Sequence, residues 1–351
     1  MATIVMERLG HLFINLQQVR QVAQVLREAV PSIPGTLRAS EVPAFFREPY
    51  IHSGYRAPDL AWRYYFLSLF QRHNETVNVW THLLGALLIL ATSLRLAETV
   101  DFAGDAHAWP LLLLLGSGFT YMLFSVAAHL LSARSPLHHH ALYFLDYAGV
   151  ALYQYASAAV HFHYAAEPGW RGGAQWASLA LAALLSLVFC LGGCCTKLGG
   201  PLWARGVWQL LPCALAYAWD SAPIFHRLST CLPTCADDEA GRYHGAQVAL
   251  FLLSAVFFTW PVPERWFPGR CDLLPQGHQV FHVLVVLCTF SQIRASHLDY
   301  LQRRALYAPA GPQAPRLLLG LFAALALSCA ITTILMTRRA QHLIGQKHKG
   351  S

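Results

Sequence analysis

Five side chains of this 351-residue sequence could build a reactive centre: Ser125, His129, Asp146, His278 and His282. His278 and His282 stand four apart, which puts both imidazoles on one face of a helix, and Ser125 and His129 repeat that spacing. Three histidines from two helices suit zinc, because neutral imidazole is its usual nitrogen ligand and an i, i+4 pair supplies two ligands at once. Three protein ligands leave a fourth position for water, as catalytic zinc sites do and closed structural sites do not. Asp146 is then available to orient that water or a ligand, or to act as general base, and Ser125 to hold the first histidine or an oxyanion. The same three ligands would equally serve a metal that only ties two helices together.

The elements that must position these groups are apolar. Eight stretches, 79–97, 109–131, 142–164, 175–195, 207–225, 246–262, 278–296 and 317–337, each have about the length a helix needs to cross a bilayer. They hold only four charged residues, Arg95, Asp146, Asp220 and Arg294, of the chain's 43. Hydrophobic residues make up 55% and charged residues 12% of the chain, too little charge to cover the surface of a water-soluble fold. Collagen-like, disordered and disulfide-scaffold classes are excluded, and the long unbroken apolar runs do not read as barrel strands. The expectation is an all-α polytopic membrane protein: an N-terminal region 1–78, a helical bundle 79–337 and a basic tail 338–351. The shortest stretch, 246–262, leaves seven spans as an alternative.

Basic residues give the orientation. With the N-terminus cytoplasmic, the inner segments carry 17 Lys and Arg and the outer loops 6, so N-in and C-in is expected. The net charge of +7 suits an anionic cytoplasmic leaflet and requires no nucleic acid. In this topology His129, Asp146, His278 and His282 reach a similar depth in the inner leaflet. Arg95 and Arg294 lie near outer ends and can snorkel. Val5, Leu9, Leu12, Leu16, Val19, Ala23, Leu26 and Val30 draw one apolar stripe along a helix, which fits an interfacial helix and a helix packed on the same protein equally. Cys190, Cys194 and Cys195 read as small packing residues, with lipidation as the alternative; Cys231 and Cys235 would form a disulfide in an oxidising compartment or stay free. His138 to His140 read as a solvated turn after Pro136, His161 and His163 as a water-facing boundary, and Asp220, Ser221 and His226 as a structural network. Glu75, Asn78, Thr81 and His82 line one face entering the first span, where they satisfy a helix start or pack on a neighbour.

The motifs Ser125-x-x-x-His129, Phe144-Leu-Asp146-Tyr147, Pro263-Glu-Arg-Trp-Phe-Pro-Gly269, Gly277-His278-Gln-Val-Phe-His282 and His73-Asn-Glu-Thr-Val-Asn-Val-Trp-Thr-His82 resemble those of the progestin and adipoQ receptor family. Within it the chain is most similar to the membrane progestin receptors, alpha type first and beta type next. The resemblance implies a seven-helix adiponectin-receptor-like bundle with an eighth C-terminal helix at 317–337 and a cytoplasmic N-terminus. It implies zinc on His129, His278 and His282, with Asp146 near the zinc-bound water. It also implies a plasma-membrane receptor for progesterone-like steroids that signals rapidly among membrane lipids, reportedly through an inhibitory G protein. Gln154, Gln209 and Gln279 are donors that could fix the keto ends of such a ligand. Alkaline ceramidases belong to the wider superfamily, so the alternative is a zinc-dependent intramembrane hydrolase of lipid amides, with Asp146 and Ser125 in catalytic roles.

Overall fold

The computed structural model describes residues 33–167, 173–199, 202–231, 238–304 and 313–349. The expected helix within 5–30 and the pairing of Cys231 with Cys235 lie outside the described residues. The chain divides into Met1–Gly35 and the unit Thr36–Ser351, and every helix described here belongs to the second.

Among the described residues ten α-helices follow one another: α1 (Trp62–Leu67), α2 (Thr76–Ala97), α3 (Trp109–Leu131), α4 (Pro136–Val160), α5 (Gly173–Leu198), α6 (Leu202–Asp220), α7 (Ala222–Cys231), α8 (Glu239–Thr259), α9 (Gly277–Gln302) and α10 (Gln313–Lys349). Five of them, α2, α3, α5, α9 and α10, lie in stretches long and apolar enough to cross a membrane, and their outward surface is leucine-rich. The three remaining long helices among the described residues, α4, α6 and α8, fall outside that group and pack among these. In the bundle α3 packs on α2 and α4, α5 on α4 and α6, and α9 on α8, α2 and α3. Helix α10 lies against α4 and α5, where the Tyr155 hydroxyl donates to the Leu318 carbonyl at 3.0 Å. Cys190, Cys194 and Cys329 are buried at this contact, in keeping with small packing residues, whereas Cys195 is exposed and does not pack there.

Helix starts follow local chemistry. Ser135 accepts from the His138 amide and Pro136 stands at the first turn, so α4 begins six residues before the apolar stretch does. His138 to His140 are therefore helical and not a solvated turn; the His139 ring packs on Phe45 and Tyr143, and His140 is buried. Asp238 caps α8 through the Gly241 amide, and Gln276 with Gln279 forms a capping box on α9. The fifth stretch is broken at Ser221 into α6 and α7, and the last helix runs on into the segment expected as a tail. Asn74-Glu75-Thr76 is a formal glycosylation sequon that the expected topology puts on the cytoplasmic side, and Asn74 is buried.

Arg227 on α7 organises the end of the bundle away from the triad histidines. Its guanidinium makes paired hydrogen bonds to Asp299 of α9 and to Asp238, at 2.7–3.0 Å. Asp299 also accepts from or pairs with His244 Nε2 at 2.9 Å, and Gln247 links His244 to His161. His161 is 1% exposed and contacts Gln292 and the Asp220 carbonyl, so it is a buried hub and not a water-facing boundary. The π-turn His161–Ala165 that ends α4 turns this ring inward. Asp220 accepts from Ser221, as a structural network requires.

Replacing Arg227 by Ala would leave Asp299 buried without its cation, a loss worth about 3–5 kcal/mol for buried pairs in general. Thermal unfolding of the purified protein in detergent should show a clearly lower midpoint for Arg227→Ala than for Arg294→Ala, whose partner Glu239 is exposed. Equal midpoints for the two variants would contradict the clamp.

Candidate metal site

His129 sits in the last turn of α3, and His278 and His282 in the first two turns of α9. Packing of α3 and α2 against α9 brings the three rings together, with one nitrogen of each within 4.8 Å of the others. The Nε2 atoms of His278 and His282 are 3.3 Å apart. Two nitrogens on one tetrahedral zinc, each bonded at about 2.0–2.1 Å, stand about 3.3 Å apart, so the pair already has the spacing a metal requires. His129 and His282 are buried and no carboxylate shares the group, so the donor set suits a borderline ion with a preference for imidazole.

The far side of each ring is what α2 supplies. Glu75, immediately before α2, accepts a hydrogen bond from His129 Nδ1 at 2.7 Å through Oε2. That contact turns His129 Nε2 toward the other two histidines and fixes the tautomer a metal would need. Asn78 donates to the same oxygen at 2.6 Å. The Asn78 carbonyl and the Thr81 hydroxyl, 3.5 Å away, hold His282 from behind, and the His82 ring stacks on His282 at 3.9 Å. The face carrying Glu75, Asn78, Thr81 and His82 is thus the frame of the triad, beyond the helix-start role expected for it. Its signal in the sequence was the spacing of polar residues along one face of a helix otherwise apolar.

Segment 36–60 closes this end. Arg56 is buried and donates to the carbonyls of His129 and Leu130 and to Ser68, which fastens the last turn of α3. Asp272 accepts from the His52 amide and the Ser53 hydroxyl, tying the same segment to the loop before α9, and Glu264 accepts from the Gly277 amide at the start of that helix. Gly54, at φ +88, lies against Asn74 and Leu273 in a backbone conformation that side chains disfavour. The Glu48 carboxyl is held well above the usual carboxylate range, by desolvation first and by the Glu75 charge second.

Ser125 is buried one turn before His129, and neither it nor Asp146 hydrogen-bonds a triad histidine among the described residues. Asp146 lies within electrostatic reach of His129 and of Lys197, whose ammonium sits 3.7 Å from the centre of the Tyr143 ring. Gln279 is spent on the backbone: its amide nitrogen donates to the Asn74 and Leu273 carbonyls and its oxygen accepts from the Gln276 amide. Gln154 reaches Cys213 only at 3.9 Å, and its amide oxygen is buried without a partner.

Residues 70–293, which include Glu75, the three histidines and Asp146, match the model of the haemolysin-III-related family. The chain belongs to this family. It is therefore a polytopic α-helical membrane protein, as its apolar helices indicate. It is 48% identical over 355 residues to membrane progestin receptor alpha-B of Danio rerio, covering 99% of this chain and 100% of that one. It is 44% identical over 344 residues to membrane progestin receptor alpha of Homo sapiens, covering 98% and 99%. Similarity to membrane progestin receptor beta of Sus scrofa is 43% over 312 residues and 88% of both chains. These relatives place the chain in the progestin and adipoQ receptor branch, with the alpha type ahead of the beta type, as its motifs had implied.

Loss of the carboxylate behind a metal-bound histidine generally costs about 10–100-fold in metal affinity. Glu75→Gln should weaken zinc binding to that extent in competition against a chromogenic chelator. An unchanged affinity would show that Glu75 does not orient His129.

Proposed function

We propose that this chain is a plasma-membrane receptor for progesterone-like steroids that carries an intramembrane zinc ion on His129, His278 and His282. The observation that supports the receptor reading most directly is near-full-length similarity to proteins named membrane progestin receptor alpha. The bundle has the right material for a flat apolar ligand: apolar helix walls with a few buried polar groups between them. With Gln279 committed to the backbone, Gln154 and Gln209 are the glutamines left to meet keto oxygens. We read α2 through α10 as spanning the membrane with the N-terminus cytoplasmic, α6 and α7 sharing one span, which gives eight. Signalling through an inhibitory G protein rests on the resemblance alone.

The histidine set favours a second reading, a zinc-dependent hydrolase of lipid amides. Zinc, when bound, would polarise a carbonyl and acidify water. Glu75 would fix His129, Asp146 would take up a proton at its carboxylate, and Ser125 would stand beside the first ligand. The two readings are compatible in one molecule, with a steroid regulating a retained hydrolase.

One purified sample assayed for both activities separates them. Radiolabelled progesterone should bind saturably to the protein made in a host without steroid receptors; strictly non-saturable binding by folded protein would contradict the receptor reading. Ceramide turnover above an inactive control, abolished by Asp146→Asn at unchanged zinc content, is expected if the hydrolase is present. Turnover at control level in the unsubstituted protein removes that reading.

A further inference from the structure

Helix α1 is inverted for a helix in contact with water. Its tyrosines, Tyr64 and Tyr65, are buried, while Trp62, Phe66 and, just beyond the helix, Phe70 are exposed. Phe70 is 75% exposed. The motif Pro263-Glu-Arg-Trp-Phe-Pro-Gly269 before α9 repeats the inversion. Its acid, Glu264, is buried and accepts from the Gly277 amide, whereas Trp266, at 65%, and Phe267 are exposed. Exposed rings grouped in this way mark a contact surface.

Both groups of rings extend apolar helix faces. The Phe70 ring packs on Trp80 with centroids 6.1 Å apart, and Trp80 shares one face of α2 with the exposed Leu84, Leu87 and Leu88. Trp260 stands at the end of the α8 face that carries the exposed Leu252, Leu253 and Val256. Such faces are what a spanning helix turns toward lipid. The rings therefore sit where acyl chains give way to headgroups, the depth at which amphipathic aromatic rings collect. Segment 36–60 holds both groups at the triad end: the Asn74 amide donates to the Gly54 carbonyl at 3.0 Å, and the Gly269 amide to the Tyr50 carbonyl at 3.1 Å.

The charge suits the same boundary. Among the described residues of 60–74 and 260–277 every exposed charge is an arginine: Arg63, Arg72, Arg265 and Arg270. The acids of these two segments, Glu264 and Asp272, are buried. Segment 36–60 carries exposed charges of both signs, so the basic excess belongs to α1 and the loop before α9. Guanidinium groups also lie over the exposed rings, Arg265 at 5.5 Å from the centre of Trp260 and Arg134 at 4.4 Å from that of Trp62.

We propose that α1 and the loop before α9 form a binding surface for anionic phospholipid, with the rings among the upper acyl chains and the four arginines on headgroup phosphates and carboxylates. Continuity with the lipid-facing stripes favours this occupant over a second protein, which would need no such alignment. The proposal rests on the spanning arrangement above. The orientation above decides only which leaflet supplies the lipid, and there it is the anionic cytoplasmic one.

The test titrates phosphatidylserine or phosphatidylcholine into the purified full chain in detergent and reads bound lipid by native mass spectrometry. The unsubstituted protein should bind phosphatidylserine more tightly. The double variant Arg63→Gln, Arg265→Gln should lose about fivefold in that affinity for each arginine removed. The control pair Arg95→Gln, Arg242→Gln, exposed and at the other end of the bundle, should lose none. A second measurement needs no charge variant. In nanodiscs of phosphatidylcholine brominated high on the acyl chain, part of the quenched tryptophan emission should disappear in Trp266→Phe. Orientation enters neither measurement, so a reversed topology would change the leaflet and leave both results in place. Equal affinity for the two lipids in folded unsubstituted protein would overturn the proposal and leave a protein as the occupant of this surface. Quenching unaltered by Trp266→Phe would overturn the placement of the loop in the interface, and the proposal with it.

Discussion

A carboxylate placed at the mouth of an apolar bundle needs a partner, and at Glu75 that partner is the imidazole of His129, 2.7 Å away. Most of the surrounding structure serves this contact. Arg56 anchors the turn of α3 that carries His129, Asn78 donates to the same carboxylate oxygen, and segment 36–60 is fastened to the loop before α9 through Asp272. Without the carboxylate, His129 would have no fixed tautomer and the three rings would have no common point to face. Arg56, His129, Glu75 and Asn78 form one connected hydrogen-bonded network, whose members strengthen one another.

The opposite end of α9 is held in a different way. Arg227, Asp238, Asp299 and His244 form a buried cluster of charged and polar groups that joins α7, α8 and α9. One helix thus carries histidines at its start and a carboxylate at its end, and each end is fixed by groups from other elements. The middle of the bundle between them holds hydroxyl and amide side chains, Tyr121, Thr289, Tyr153 and Gln292, in mutual contact.

The triad was legible in the sequence because three histidines at helical spacing are conspicuous among so few polar residues. Chain order and apolar length also marked where the long helices lie, though not the break at Ser221 or the helix ends. The frame was not legible: the roles of Glu75, Asn78 and Thr81 depend on which face α2 turns toward α3 and α9, and tertiary packing decides that. His161 misled for a related reason. Its position near a helix end resembles a boundary, but the π-turn there rotates the ring into the core. His138 to His140 misled because the capping effect of Ser135 outweighs the polarity of the run, and helix α4 begins earlier than hydropathy alone marks.

The central claim is that His129, His278 and His282 together hold one metal ion. Metal content of purified protein, measured by mass spectrometry for the unsubstituted chain and for His278→Ala, tests it most directly. The account predicts about one zinc per chain in the first and a loss of most of it in the second, with both proteins folded. Equal zinc content in the two, or none in the folded unsubstituted chain, would contradict it.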